Sequence, residues 1–320
     1  MKIRNFLPVL IAGMMLLAAC SNTSVQDGTS STQQSDKKLK VVTSFYPLAE
    51  IARTVGNDHV DVLNLVPPGA EPHDFEPSPK DILALNNADL VIINGLGFEP
   101  WADKIIPGLQ QKNIKIIDIS KDIPELLKPT EPLPSAETAG EEEHFVYDPH
   151  FWLDPLMYIR ETQTISKTLE KIDPSYSDSF EKNTEAFVAQ LQELDGEFRN
   201  GLKSCQLKEI VTNHAAFGYL AKEYGLTMVA ISGMSPDAEP SPKKLAELTD
   251  LVKKDNVKII FTETLLSPKV SDTVAKETGT ETRVLNPIEG LTEVEMKNGE
   301  NYISMMKKNL ESLRTALECT

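Results

Sequence analysis

Short apolar runs alternate with amphipathic segments along most of this chain. In the amphipathic segments, which are about ten residues long, apolar positions recur at helical spacing. Strands that alternate with helices of this length predict right-handed βαβ units and a parallel sheet. In the first half of the chain the predicted strands are LKVVTSF, VDVLNLV, LVIING and KIIDIS.

The same alternation returns in the second half, with predicted strands KEIVTN, LTMVAIS, KIIFTE and TRVLNP and a final amphipathic helix, NYISMMKKNLESLRTAL. Between the two halves, two helical segments follow each other without a strand. The second segment starts after Asp173 and Pro174, and its length of about thirty residues gives a helix of roughly 45 Å, more than one lobe needs. We therefore predict an α/β fold of two lobes, each with a parallel sheet flanked by helices, joined by one long linker helix.

The N-terminus, MKIRNFLPVLIAGMMLLAAC, begins with two basic residues, continues with an apolar stretch and ends on small residues. This pattern predicts a secretory signal peptide that is too short to span a membrane comfortably. Its end resembles the lipobox of bacterial lipoproteins, which implies a lipid anchor on Cys20 at the bacterial cell membrane. The Ser-, Thr- and Gln-rich segment that follows is typical of a flexible tether.

The predicted segments are a lipoprotein signal peptide (1–20), the tether (21–39), an N-terminal α/β lobe (40–172), the linker helix (173–203) and a C-terminal α/β lobe (204–320).

Charge and cysteine content narrow the choice of partners and of compartment. The formal net charge is −16, and loss of Lys2 and Arg4 with the signal peptide makes the mature chain more acidic. Such a surface repels phosphate backbones, so we expect no nucleic-acid partner. If Cys20 is acylated, Cys205 and Cys319 remain as a candidate disulfide pair in an exported protein. The sequence alone leaves open whether they pair.

Three of the five histidines are predicted to lie where ligands bind in parallel-sheet proteins, beyond the carboxyl ends of strands. His73 lies in EPHDFEPSP after the second predicted strand, and His214 directly follows EIVTN. His150 lies in YDPHFWLDP, before the first of the two central helices. Two of these histidines belong to the first lobe and one to the second, so we expect them at the rim where the lobes face each other.

The other two histidines lie elsewhere. His59 precedes its strand and is therefore predicted at the opposite edge of the sheet, where we expect a solvated or capping residue. His144 follows Glu141–Glu143 in a loop rich in Pro and Glu, which we expect to be solvated.

A cluster of three neutral imidazoles in an exported, acidic protein favours a Zn²⁺ site. Two carboxylates compete for the fourth position, Glu263 at the end of KIIFTE and Glu289 after TRVLNP, and the residues alone do not decide between them. A zinc hydrolase, in which water fills the fourth position, is an alternative. A metal-free surface adhesin is another.

Several segments, taken in order, resemble the zinc-uptake ABC-transporter solute-binding proteins, a long-linker-helix class that also contains manganese-binding members. The resemblance extends from Val41 to Leu317 and is carried by FYPLAEIA, PHDFEPSP, NGLGFEPW, DPHFWLDP, NHAAFGYLAKEYGL, EPSPKKLAELTDLVK and NPIEGLT. It implies an extracytoplasmic protein, not an enzyme, that captures a metal ion between two lobes and delivers it to a membrane permease.

The resemblance also implies which residues bind the metal. The ligands of the family fall on His73, His150, His214 and Glu289, and Glu263 falls on a supporting position or serves as an alternative ligand. Histidine at position 214 implies zinc as the cargo rather than manganese, because the manganese-binding members usually carry a carboxylate there.

One departure from the family concerns the loop before His150. Many zinc-binding members have a long histidine-rich loop that is thought to gather metal, whereas this chain has His144 beside Glu141–Glu143. A second capture site is therefore not expected.

We expect a monomer whose partners are the permease and the membrane. Its lobes should tilt only slightly, because bending the linker helix sacrifices hydrogen bonds.

Overall fold

The computed structural model of this protein describes residues 37–129, 145–236 and 242–320. The predicted signal peptide, the tether up to residue 36, Cys20 and Glu141–His144 lie outside the described residues. Within the described ranges, no helix has the length and apolarity that a membrane crossing requires.

The first lobe is built on a parallel four-stranded sheet with the strand order β2-β1-β3-β4. Alternate side chains of each strand point to opposite faces, and both faces are covered: Val41 belongs to the large central core, whereas Val42 belongs to a separate apolar cluster on the other face. The elements are β1 (Leu39–Thr43), α1 (Tyr46–Gly56), β2 (Val60–Asn64), α2 (Pro79–Asn86), β3 (Leu90–Ile93), α3 (Ala102–Gln111) and β4 (Lys115–Asp118).

Two consecutive helices, α4 (Pro155–Ile172) and α5 (Ser177–Leu202), follow the first lobe. The sequence predicts that the second begins near residue 173, but Asp173 accepts a hydrogen bond from the backbone of Ser175 and caps a short 3₁₀ turn there. The regular α-helix therefore starts at Ser177 and has 26 residues. Its buried stripe is typical of an amphipathic helix that packs along one side, and it consists of Phe180, Thr184, Phe187, Leu191, Leu194, Phe198 and Leu202.

The second lobe repeats the architecture of the first. Its sheet is also parallel and has the strand order β6-β5-β7-β8, which is the same permutation as in the first lobe. The fold class predicted from the sequence is thus confirmed. The elements are β5 (Glu209–Thr212), α6 (Gly218–Glu223), β6 (Thr227–Ala230), α7 (Pro242–Lys254), β7 (Ile259–Thr262), α8 (Lys269–Thr278), β8 (Glu281–Val284), α9 (Glu293–Lys297) and α10 (Tyr302–Ala316).

The two lobes and α5 share one apolar core. Residues from β1, α4, α5, β5 and α10 all contribute to the same buried cluster, so the lobes are not separated by a solvated linker. Helix α10 approaches α5 closely at Gly201, where an added Cβ would lie 3.1 Å from Leu310 Cδ1. A large apolar contact of this kind resists wide separation of the lobes.

A disulfide joins Cys205, just after α5, to Cys319, next to the last residue of the chain. Backbone hydrogen bonds flank it, from the amide of Leu207 to the carbonyl of Leu317 (3.1 Å) and from the amide of Thr320 to the carbonyl of Ser204 (3.2 Å). The C-terminus is thereby fastened to the end of the linker helix.

Candidate metal centre

Four buried side chains from distant parts of the chain converge between the lobes, and each comes from a segment that follows a strand or precedes a helix. They offer one ligand atom each, and these atoms lie within 4.8 Å of one another. The side chains belong to the loop between β2 and α2, the segment before α4, the exit of β5 and the loop after β8, and they are His73, His150, His214 and Glu289.

Four of the six distances between the donor atoms are close to those of a tetrahedral zinc site. Glu289 Oε1 lies 3.4 Å from Nε2 of His73, 3.5 Å from Nε2 of His150 and 3.3 Å from Nε2 of His214. The Nε2 atoms of His73 and His150 are 3.4 Å apart. Ligand bonds of about 2.0–2.1 Å around a tetrahedral Zn²⁺ require donor separations of roughly 3.3–3.4 Å. The four residues therefore fit a zinc ion at their centre.

These donor atoms lack adequate partners within the described part of the chain. Nε2 of His214 and both carboxylate oxygens of Glu289 accept or donate no hydrogen bond there. All three Nε2–Oε1 separations exceed the usual range of N–H···O bonds. Burying a carboxylate without compensation is costly. A cation bound at the centre would remove this cost.

His150 is oriented by Asp148. Asp148 Oδ1 lies 2.8 Å from His150 Nδ1 and accepts a second hydrogen bond, of 2.9 Å, from the backbone N–H of His150. Because the carboxylate accepts the Nδ1 proton, Nε2 presents its lone pair to the centre in the neutral ring.

His214 is oriented in the same way by Glu263 at the end of β7. Glu263 Oε1 lies 2.7 Å from His214 Nδ1 and accepts a 3.2 Å hydrogen bond from the backbone N–H of His214. The structure thus distinguishes the two candidate carboxylates. Glu289 faces all three imidazoles, whereas Glu263 lies behind His214 and orients its ring.

His73 is fixed by its loop and by an aromatic neighbour. Glu71 Oε1 accepts a 3.2 Å hydrogen bond from the backbone N–H of His73, and the ring packs on Phe98 with the centroids 4.8 Å apart. Phe98 is held in place by Glu99. The Glu99 carboxylate accepts hydrogen bonds from the backbone N–H of Asn94 (2.7 Å) and from that of Gly95. Burial raises the pKa of Glu99 to about 7.

Burial and mutual charge give the four groups unequal proton affinities. Burial lowers the pKa of His73. Burial also disfavours protonated His214, but Glu263 and Glu289 outweigh it and raise the pKa of His214 well above its usual value. Desolvation would raise the pKa of Glu289, yet His214 and the other two imidazoles hold it well below its usual value. The pKa values of Glu289 and His214 are therefore shifted in opposite directions, because each group favours the charged form of the other.

The pKa of His150 is also raised. Burial opposes its protonation, but the hydrogen bond with Asp148 and the nearby carboxylate of Glu289 outweigh burial. A metal ion that binds at the centre must displace protons from these imidazoles.

The remaining histidines lie apart from this cluster. His59 lies at the amino end of β2, at the edge opposite the site, as predicted. Its ring is not simply solvated, because it stacks on Tyr176 with the centroids 3.7 Å apart.

Sequence reasoning missed the roles of Asp148 and Glu71, although a signal was present. Both stand two residues before a site histidine in an acid–Pro–His motif, Glu71-Pro72-His73 and Asp148-Pro149-His150. In both copies the acidic side chain accepts a hydrogen bond from the histidine backbone. Aspartate two residues before a backbone donor commonly forms such a turn.

Comparison with known proteins gives a consistent result. Residues 41–316 match the family model described as ZnuA, zinc-uptake complex component A, periplasmic. The chain is 41% identical over 320 residues to the high-affinity zinc uptake system protein ZnuA of Bacillus subtilis, covering 97% of this chain and 96% of that protein. It is 42% identical to the zinc-binding lipoprotein AdcA of Streptococcus pneumoniae, of which it spans 58%. The Zn(II)-bound ZnuA-like domain of that AdcA superposes with a TM-score of 0.74 at 41% identity, over 88% of this chain and all of the domain.

The charge balance of the site predicts opposite titration behaviour for two of its histidines. In the metal-free protein we expect the pKa of His214 to lie above the usual value of about 6.5 and that of His73 to lie below it. Nuclear magnetic resonance of the ring protons as a function of pH measures both. A Glu289→Gln variant should lower the pKa of His214, because it removes a facing negative charge. Titration of His214 below that of His73 in the unmodified protein would contradict this electrostatic description.

Proposed function

This chain belongs to the ZnuA family of zinc-uptake components, and from that premise we propose that its four converging side chains bind one Zn²⁺ as cargo for an ABC importer. The protein is a solute-binding component that works outside the cytoplasm, and it is not an enzyme. His73, His150, His214 and Glu289 are the proposed ligands. The observation that supports them is the set of donor separations of 3.3–3.5 Å around Glu289 Oε1.

The donor set favours zinc over manganese. Three imidazoles and one carboxylate in a four-donor arrangement suit Zn²⁺, whereas Mn²⁺ prefers oxygen ligands in a six-coordinate shell. Manganese would need additional oxygen donors beyond Glu289. We therefore propose zinc as the physiological cargo.

The alternatives of a zinc hydrolase and a metal-free adhesin receive less support. A hydrolytic zinc needs an open position for water, and Glu289 together with three histidines supplies four donors to an ion that prefers four. A metal-free surface protein would have no use for a buried carboxylate that faces three imidazoles.

Metal binding can be sensed by the transporter because the ligands come from both lobes. An ion that binds donors from two bodies favours the arrangement in which all four donors are within reach. The shared core around α5 restricts the alternative arrangement to a small displacement. The permease would then distinguish the zinc-loaded protein from the empty one by the relative position of the lobes.

We further propose that the mature protein is a monomer anchored by a lipid on Cys20. The lipobox-like end of the signal peptide and the polar segment after it support the anchor, and the pneumococcal relative AdcA is described as a lipoprotein. Replacement of Cys20 by alanine should move the protein from the membrane fraction to the soluble fraction after cell lysis. Membrane retention of that variant would contradict the lipid anchor.

Removal of one proposed ligand should sharply reduce zinc affinity. Loss of an outer partner alone typically costs about 10–100-fold in metal affinity, so we expect His214→Ala to lose more than about 100-fold. Isothermal titration calorimetry with zinc measures the change, and His59→Ala serves as the control because its ring stacks on Tyr176 away from the site. Parallel titrations with manganese should give weaker binding to the unmodified protein. Unchanged affinity in His214→Ala would exclude that residue from the site.

Zinc affinity should rise with pH. The raised pKa of His214 favours a proton on the metal-free site, and zinc binding must release it. The affinity should therefore fall as the solution becomes more acidic. Calorimetry near pH 7 in two buffers of different ionisation enthalpy should show release of about one proton per zinc. Binding that releases no proton and is insensitive to pH would contradict the assignment of imidazole ligands.

A further inference from the structure

The segment that carries Glu289 has a strained backbone. Six non-glycine residues of the described ranges have a positive φ, and Ile288, with a φ of 56°, is the β-branched residue among them. A β-branched side chain is sterically disfavoured in this left-handed region, so the conformation persists only where neighbouring groups enforce it. Ile288 is completely buried and directly precedes Glu289. The strain therefore lies at the residue that sets the direction in which Glu289 leaves the chain.

The side chain of Asn286 holds this conformation from within the loop. Its Oδ1 accepts a 2.7 Å hydrogen bond from the backbone N–H of Ile288, which is the pattern of an Asx turn. Its Nδ2 donates to Oγ1 of Thr264 at 3.0 Å. Thr264 directly follows Glu263, so Asn286 also connects the loop with the segment after β7 that orients a site histidine.

Asn309 on α10 fixes the backbone of Asn286 itself. Oδ1 of Asn309 accepts from the N–H of Asn286 at 2.8 Å, and Nδ2 of Asn309 donates to the carbonyl of Asn286 at 2.7 Å. Both asparagines are 2% exposed. Because one side chain binds both backbone polar groups of residue 286, this residue cannot rotate without breaking two buried hydrogen bonds.

The residue between Asn286 and Ile288 is restrained as well. The ring of Pro287 locks its own φ, and its carbonyl accepts a 2.8 Å hydrogen bond from the indole N–H of Trp152. Trp152 is two residues after His150, so this bond also relates the loop to another ligand. Each of the three residues before Glu289 is thus held by at least one directed hydrogen bond.

The orientation of Glu289 depends on these restraints. Its carboxylate is buried, and Oε1 lies 3.3–3.5 Å from the three imidazole Nε2 atoms. A change of φ at Ile288 to the usual negative range would turn the following backbone and carry this carboxylate away from the imidazoles. Three histidines and an open position would then remain, an arrangement that admits water to a bound zinc ion.

We propose that Asn286 and Asn309 are positioning residues that hold Ile288 in its left-handed conformation, so that Glu289 completes a four-coordinate shell around zinc. Their bonds offset the backbone strain, and the strain directs the fourth ligand to the centre. The proposal rests on the proposed zinc-binding function and identifies what determines the coordination number of its site.

Hydrogen exchange in the metal-free protein, followed by nuclear magnetic resonance, tests the hold on Ile288. In Asn286→Ala the amide of Ile288 should lose at least about tenfold of its protection, because its acceptor is gone. Asn286→Asp keeps an oxygen in that place and should retain protection within a factor of about three. The indole of Trp101, buried in the first lobe, reports global unfolding. Equal protection of Ile288 in both variants and in the unmodified protein would overturn the proposal.

Cobalt(II) reports the coordination number directly, because a tetrahedral Co²⁺ ion absorbs visible light much more strongly than a five- or six-coordinate one. The unmodified protein loaded with Co²⁺ should show the strong absorption. Asn286→Ala should lose most of it, and its zinc affinity, measured in competition with a chelator, should fall about 10–100-fold. Asn286→Asp should recover the strong absorption. A merely structural role would lower the unfolding temperature and leave the absorption unchanged.

Asn183→Ala is the matched control for these measurements. It removes another asparagine side chain, whose Nδ2 on α5 donates to the carbonyl of Val55 at 2.9 Å, away from the site. Its cobalt spectrum and zinc affinity should equal those of the unmodified protein. If Asn286→Ala gives the same spectrum and affinity as this control, the positioning role is refuted.

A milder variant serves if Asn286→Ala does not fold. Thr264→Val removes only the acceptor of the Asn286 amide. Loss of one hydrogen bond of this kind should lower zinc affinity at least about threefold and weaken the cobalt absorption. Zinc affinity and absorption equal to those of the unmodified protein would count against the proposal.

The outcomes separate this inference from the proposed function. If the unmodified protein binds neither zinc nor cobalt, the proposed function fails, whereas exchange at Ile288 still measures the hold of Asn286 without metal. If the protein binds zinc and His214→Ala weakens binding, but Asn286→Ala behaves like the control, the function stands and the positioning role is wrong.

Discussion

A buried carboxylate faces three imidazoles between the lobes, and its negative charge must be compensated. Glu289 is 1% exposed, and its Oε1 atom faces Nε2 of His73, His150 and His214 at 3.3–3.5 Å. Burial of such a group is unfavourable unless a cation or protons neutralise it. The raised pKa values of His150 and His214 favour a proton near this carboxylate when metal is absent. On our proposal, zinc takes the place of that proton.

The fold brings these donors together through the geometry of parallel sheets. Both sheets have the same strand order, and their carboxyl edges contribute loops to one shared rim. Around this rim, acidic residues fix the rings: Asp148 and Glu263 each accept from Nδ1 and from the backbone of the histidine they orient. The bond from Trp152 to the carbonyl of Pro287 joins the segment of His150 to the loop of Glu289. On the proposed function, metal binding is coupled to lobe position because segments of both lobes carry the ligands.

Local sequence patterns predicted the elements and loops that depend on neighbouring residues alone. Alternating apolar runs predicted both sheets, and strand exits predicted where His73 and His214 would lie. Helix α9 was missed because its five residues are too short for helical periodicity, although Thr292 and Glu295 form a capping box that marks its start. The Trp152–Pro287 bond could not be foreseen, since it joins residues 135 positions apart and depends on how the lobes pack. The choice between Glu263 and Glu289 as the fourth ligand required the family resemblance, because it also depends on how the lobes pack.

X-ray absorption spectroscopy at the zinc edge, on the protein loaded with one equivalent of zinc, measures directly how many ligands bind the ion and of which kind. We expect four nitrogen and oxygen neighbours at about 2.0–2.1 Å, with the outer-shell scattering of three imidazole rings. In a Glu289→Gln variant this first shell should change while the imidazole scattering remains. A six-coordinate shell of oxygen ligands, or a spectrum without three imidazoles, would contradict the proposed zinc site.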